Sequence, residues 1–151
     1  MQPIRTLFKW GALGLVALLV AIQFVPYGRD HKNPPGGRQI AWDSPRTEQL
    51  MTDACMDCHS NLTKWPLYSN VAPISWLVQS DVDDGRGALN LSTGEADVEE
   101  MVQAIHDGSM PPWQYKPTHP GARLSDQERR DLIRGLRATF AGASGGGAGG
   151  G

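Results

Sequence analysis

The hydrophobic pattern changes character along the chain. From Trp10 to Val25 the run WGALGLVALLVAIQFV carries no charge and one strongly polar residue, Gln23; with Leu7 and Phe8 it approaches the length that spans a bilayer. No face of this run is polar, so it predicts a transmembrane helix rather than a core helix. Beyond it the apolar residues recur at helical spacing. Ser44 as N-cap, followed by Pro45 at the first helical position, predicts a helix over 45–54. A second helix begins at Pro73, with Ile74, Leu77 and Val78 sharing a face and Gly85 able to cap its end. The third opens on the capping box Ser92-x-x-Glu95, carries Val98, Met101, Val102 and Ile105, and stops at Gly108. The fourth opens on Ser125-x-x-Glu128 and carries Leu132, Ile133, Leu136 and Phe140 on one side. No segment alternates as a strand does. The expected fold class is all-α, a small helical domain preceded by one N-terminal transmembrane helix.

Charge orients the apolar helix. Arg5 and Lys9 precede it, whereas Asp30 and other acidic residues follow after Arg29, which keeps the N-terminus in the cytoplasm and exports everything after Tyr27. A cleaved signal peptide needs small residues before its cleavage site, and Gln23 to Tyr27 offer no A-x-A pattern. Residues 1–25 are therefore expected to be an uncleaved signal anchor. Residues 26–41, dense in Pro, Gly and polar groups, read as an extended linker. The folded domain is expected over 42–140. The tail AGASGGGAGGG, residues 141–151, has nothing to offset its ordering entropy and is expected to be disordered.

Composition adds one exclusion and one demand. A net charge of -2 with scattered Lys and Arg is not the footprint of a nucleic-acid binder. Four short helices joined by long loops bury limited apolar surface, and small domains of this kind often need a metal, a disulfide or a cofactor.

The candidate for that role is CMDCHS, residues 55–60, which holds both cysteines of the chain. Zinc needs four ligands, and beyond Cys55 and Cys58 the histidines His106 and His119 are too far apart for the usual H-x(3–5)-H pair. A thioredoxin-type dithiol expects a βαβ context, which is missing. A disulfide here would close a very small loop and stabilise little. C-x-x-C-H is the c-type haem attachment motif, and export across a membrane favours it. Its spacing has a geometric reason: two thiols bond the two vinyl-derived carbons on one porphyrin edge, and His59 reaches the iron from one face.

A sixth ligand for such an iron must come from elsewhere, since His/Met ligation raises the potential whereas an open position invites small ligands. Met110, in DGSMPPW, follows the helix stop at Gly108 and precedes Pro111 and Pro112, so it sits on a stiff loop rather than in an apolar stripe. Met101 lies in the stripe of the third helix, and Met51 and Met56 flank the attachment motif; packing accounts for all three. His119, in THPGA, is the runner-up ligand. His106 reads as a solvated helix residue, and His31 as exposed in the linker.

The run CMDCHSNLTKWPLYSNVAPISWLVQSDVDDGRGALNLS followed by GSMPPWQYKPTHPGARLSDQE, together with VPYGRDHKNPP and AWDSPRTEQL, closely resembles the bacterial haem-binding domain family of membrane-anchored, cytochrome-c-like proteins. The resemblance covers almost everything except the anchor's residues and the glycine tail. It implies one covalent haem c, held at Cys55, Cys58 and His59, with Met110 in the M-P-P motif, in a domain facing the periplasm from the bacterial inner membrane. One departure is WPLY, where the family more often shows W-P-W-Y, so Leu67 is expected to pack differently.

Other residues are expected in supporting roles. Trp65, Tyr68, Trp76 and Trp113 are candidate haem-pocket or core aromatics. Arg86 is a candidate partner for a propionate, or else a solvated loop arginine. The carbonyls near the WP and AP prolines are candidates to orient His59 through its other ring nitrogen. Asp81, Asp83, Asp84 and the pair Glu99-Glu100 read as solvated faces, and no substrate-processing constellation is visible. The expected role is therefore not enzymatic: a tethered electron carrier between membrane redox partners, among them a respiratory or photosynthetic complex. The alternatives are a haem-based sensor or peroxidase-like protein with a labile sixth ligand, and a haem-bearing accessory subunit of a larger membrane complex.

Overall fold

The computed structural model describes residues 2–94 and 96–141. Glu95 of the expected Ser92 capping box, and the expected disordered tail from residue 142 onward, lie outside the described residues. Helices account for the regular structure: α1 (Gln2–Ile22), α2 (Pro45–Ala54), α3 (Met56–His59), α4 (Ile74–Ala88), α5 (Val98–His106) and α6 (Asp126–Phe140), with 3-10 turns at Leu67–Asn70 and Pro120–Ala122. Among the described residues there is no strand, as the sequence pattern predicts. The chain forms two compact units, one made of the residues up to 32 with 65–81, the other of 33–64 with those from 82 onward.

In the first unit α1 presents its Leu, Val and Phe side chains outward along its length. Within it, Ile4–Ile22 is one helix long and apolar enough to cross a membrane. The chain leaving α1 is fastened at once. Gln23 Nε2 donates to the Ala72 carbonyl at 2.9 Å while Ala72 N–H donates to Gln23 Oε1 at 3.0 Å, so the side-chain amide pairs with one peptide unit. Gly28, at φ +77°, lies against the Ser75 backbone, and a Cβ there would also meet Gln79 Cβ at 3.2 Å. His31, expected to be exposed, is half-buried; it stacks on Trp65 at 4.8 Å and its Nε2 lies 2.9 Å from Ser69 Oγ. The residues between α1 and α2 have no helix or strand, and the side chains of Gln23 and His31 are held in specific contacts.

The second unit carries the main core. Leu50 and Met51 of α2, Ile105 of α5 and Leu132, Leu136 and Phe140 of α6 pack together, with Leu91, Ala122 and Leu124 from the connections. Trp42 closes one edge by a T-shaped contact with Phe140, centroids 6.4 Å apart. α2 starts as its sequence predicts, with Ser44 Oγ accepting from Thr47 N–H at 3.2 Å. α6 starts on the complete Ser125/Glu128 capping box. The two helices approach closely because position 135 has no side chain: a Cβ on Gly135 would fall 2.9 Å from Thr47 Cβ.

Two helix ends differ from expectation. α5 begins at Val98, with Asp97 Oδ1 accepting from Glu100 N–H at 3.0 Å, rather than at the Ser92 box. The reason is that Ser92 is buried and its Oγ accepts from Asn61 N–H at 3.0 Å, so it serves a loop instead of a helix. α4 runs through Gly85 to Ala88. Its buried positions include Ser75, Val82 and Gly85, whereas Ile74 and Leu77 of the expected core face are exposed. Ser75 and Gly85 turn inward where the helix needs close approach, and Ile74 and Leu77 are left outside.

Two outcomes follow from this packing. Gly135→Ala should overpack the α2/α6 contact and cost about 1–3 kcal/mol in urea unfolding. The Glu128 carboxyl is held below its usual 4.5 by the Ser125 N–H, the Ser125 hydroxyl and Arg46. A depressed carboxyl stabilises the fold above its unfolded-state value and loses that contribution as pH falls through the folded value. The difference in melting temperature between wild type and Glu128→Ala should therefore be full at neutral pH and shrink below the usual 4.5.

Candidate functional site

α2 runs directly into the cysteine motif. Cys55 N–H still bonds the Met51 carbonyl at 2.9 Å, but the residue leaves helical geometry with φ -130° and ψ -40°. One further turn, α3, then carries Cys58 and His59, whose N–H groups donate to the Cys55 carbonyl at 3.2 and 2.9 Å. This turn puts the three functional side chains together at one end of α2. No disulfide joins the cysteines. Burial and the neighbouring Cys58 push the Cys55 thiol up to about 12. Among the described residues no group of three or more His, Cys, Asp or Glu is placed to hold a metal ion.

The motif is held from several directions. Ser60 Oγ donates to the Met56 carbonyl at 2.6 Å, and Thr63 Oγ1 to the Asp57 carbonyl at 2.6 Å. Asp57 itself accepts from Lys64 N–H at 2.9 Å and from the Tyr115 hydroxyl at 2.8 Å. Arg86, a candidate propionate partner from the sequence, is instead turned onto the loop behind the motif. Its Nε donates to the Ser60 carbonyl at 2.8 Å and its Nη2 to Thr63 Oγ1 at 2.8 Å and Asn33 Oδ1 at 2.9 Å. Burial lowers its pKa, opposed by Asp83 and Cys58. One residue earlier, Gly85 lies flat on the motif: a Cβ there would stand 2.9 Å from Cys58 Cβ and 3.0 Å from its carbonyl carbon.

His59 has a defined direction. Its Nδ1 lies 3.1 Å from the Leu89 carbonyl oxygen. A carbonyl only accepts, so Nδ1 carries the proton and the lone pair is left on Nε2, the arrangement typical of a metal-ligating imidazole. The orienting carbonyl thus comes from Leu89, not from the WP or AP segments that the sequence suggested.

His59 and Cys55 open onto a mainly apolar cleft of about 840 Å3, counting its mouth. One wall is α5, whose Asp97, Met101, Ala104 and Ile105 recur at helical spacing along the cleft. Met110 completes the lining. After Gly108 stops α5 at φ +79°, Met110 N–H bonds back to the Ala104 carbonyl at 3.0 Å, and Ser109 Oγ donates to the same oxygen at 3.2 Å. The loop therefore folds back onto the helix that walls the cleft, leaving Met110 38% exposed.

The structure thus brings Cys55, His59 and Met110 to one cavity, with Cys58 beneath Gly85. His119, the runner-up ligand, does not line it. The His119 ring stacks on Tyr115 at 3.6 Å, and its Nδ1 lies 3.0 Å from the Tyr115 carbonyl oxygen. Trp113 is 79% exposed. Trp65, Tyr68 and Trp76 belong to the first unit, where the Trp76 indole nitrogen and Ser75 Oγ are buried without a hydrogen-bond partner. Sequence reasoning missed Met101 as a cleft residue, although its spacing from Asp97, Ala104 and Ile105 carries that signal. It also missed the Leu89 carbonyl, the Asp57–Tyr115 bond and the role of Gly85, which have no local signature.

A family model described as a haem-binding domain matches residues 17–138, most of the chain. No curated protein and no solved structure matches it.

Two substitutions test how the motif is held. Gly85→Ala should push α4 off Cys58 and cost about 1–3 kcal/mol in denaturant unfolding. Arg86→Ala removes charge-assisted bonds to the Ser60 carbonyl and the Thr63 hydroxyl and should cost about 1.5–3 kcal/mol in the same assay.

Proposed function

The chain belongs to the haem-binding domain family, and from that premise we propose that it is a membrane-tethered mono-haem c-type cytochrome that carries single electrons. The observation that carries this reading is the convergence of Cys55, His59 and Met110 on one apolar cleft, with the His59 tautomer set by the Leu89 carbonyl. Cys55 and Cys58 would hold the group through their thiols, and His59 Nε2 and Met110 Sδ would be the side-chain atoms offered to its iron. Bound haem supplies one-electron chemistry at its iron. Held by both His59 and Met110, such an iron would have a raised potential and no open coordination position, as suits a carrier. The chain's own part is to orient the imidazole, to hold the Met110 loop against α5 and to exclude water with the aliphatic walls of the cleft.

α1 is the proposed tether. The basic residues Arg5 and Lys9 before its apolar run support an N-terminus in the cytoplasm and a haem domain on the exported side of a bacterial inner membrane. A tethered carrier meets membrane-bound donors and acceptors at high effective concentration. Its partners in this reading are redox proteins or a respiratory or photosynthetic complex of the same membrane.

The reading is tested by the reduced-minus-oxidised and pyridine haemochrome spectra of the purified protein. One thioether-linked haem per chain with low-spin iron indifferent to CO is expected; unmodified thiols without haem would overturn it. Met110→Ala should open the sixth position and give a high-spin iron that binds CO, while His119→Ala should leave the spectrum unchanged. Ready CO binding by the wild type would instead favour sensing or peroxide chemistry.

A further inference from the structure

The first unit places four large aliphatic side chains in solvent within eleven residues: Leu67 (91% exposed), Val71, Ile74 and Leu77 (65%). At the start of α4 Ser75 is fully buried and Trp76 half-buried, while Ile74 and Leu77 are exposed. A concentration of exposed aliphatic side chains of this kind marks a surface suited to an apolar partner.

The position of this segment along the chain says what that is. α1 has 21 residues, and at about 1.5 Å each it is roughly 32 Å long, the thickness of a bilayer core. Gln23, one residue beyond Ile22, pairs through both amide atoms with Ala72. Ala72 stands between Val71 and Ile74, so the aliphatic segment is fixed at the level where α1 ends. The neighbouring groups suit a headgroup layer. Phe24 and Tyr27 are exposed, as aromatics of a membrane interface are, and the Arg29 guanidinium donates to Gln23 Oε1 at 3.1 Å at the same level.

We propose that residues 67–77 form an interfacial face that rests in the headgroup region of the same bilayer that α1 enters, with Leu67, Val71, Ile74 and Leu77 inserted among the lipids. The inference rests on the anchor reading of α1. The Gln23–Ala72 pair is then the joint that holds the segment against the membrane, and the anchor ends in a flat foot rather than in a free swivel.

The test uses the full haem-loaded chain reconstituted in phosphatidylcholine/phosphatidylglycerol vesicles, with a photoreactive benzophenone amino acid at Leu67 or Leu77. Val16 within α1 and Arg130 on exposed α6 are the reference positions. Lipid adducts at Leu67 and Leu77 of the same order as at Val16, with none at Arg130, are expected. Labelling of lipid at Val16 but not at Leu67 or Leu77 would overturn the inference and leave the anchor intact. Adducts from Leu67 or Leu77 to a second copy of the chain would overturn it in favour of self-association. Absence of lipid adducts at Val16 would remove the anchor, and the interfacial face with it.

Discussion

A helix of a single turn cannot hold itself, because its one or two backbone bonds do not offset the dihedral freedom it gives up. Cys55, Cys58 and His59 stand on such a turn, and the second unit is arranged around keeping it in place. α2 delivers it from behind through the Met51 carbonyl, the Leu89 carbonyl accepts from the His59 ring N–H, and Arg86 ties down the residues that follow. Asp57, inside the motif, reaches Tyr115, five residues beyond Met110, so the same turn also restrains the loop that faces it. Fixing the ligands in the protein before anything binds reduces the ordering that binding must otherwise supply.

Close approach in this small domain is achieved by leaving side chains out. Gly85 lets α4 lie on Cys58, and Gly135 lets α6 lie on Thr47 of α2. A helix that spends a face on glycine and serine has fewer large residues to bury, and α4 shows the consequence, with Ile74 and Leu77 outside. In the first unit these exposed side chains lie on the segment that Gln23 ties to the end of α1.

The Pro- and Gly-rich stretch after α1 has the composition of a spacer, yet Gln23, Gly28 and His31 each make a contact that requires their own side chain or lack of one. Within the second unit Asn33 does the same, its side chain donating to the Thr63 carbonyl at 2.9 Å, while the Arg38 backbone N–H donates to the Ser92 carbonyl at 2.6 Å. Irregular backbone is here a structural element held by polar side chains rather than a length of free chain.

The sequence by itself determined the all-helical class, the N-terminal apolar span, the Ser44 and Ser125 helix starts and the Gly108 stop, and it offered Cys55, Cys58, His59 and Met110 as candidates, of which Cys55, His59 and Met110 line one cleft. These are legible because each depends on neighbours within one or two turns: a cap on the residue three positions on, a span on its own hydropathy, a motif on its own spacing. What only the tertiary structure decided is which carbonyl orients His59, that Ser92 serves a loop instead of a helix, that Arg86 braces the motif from behind, and that Gly85 continues α4 across Cys58 where its local signal was a stop. Each of these depends on a partner some thirty residues away or on an absent side chain, and a one-dimensional pattern specifies neither, since it records what a residue can bond but not what folding brings within reach.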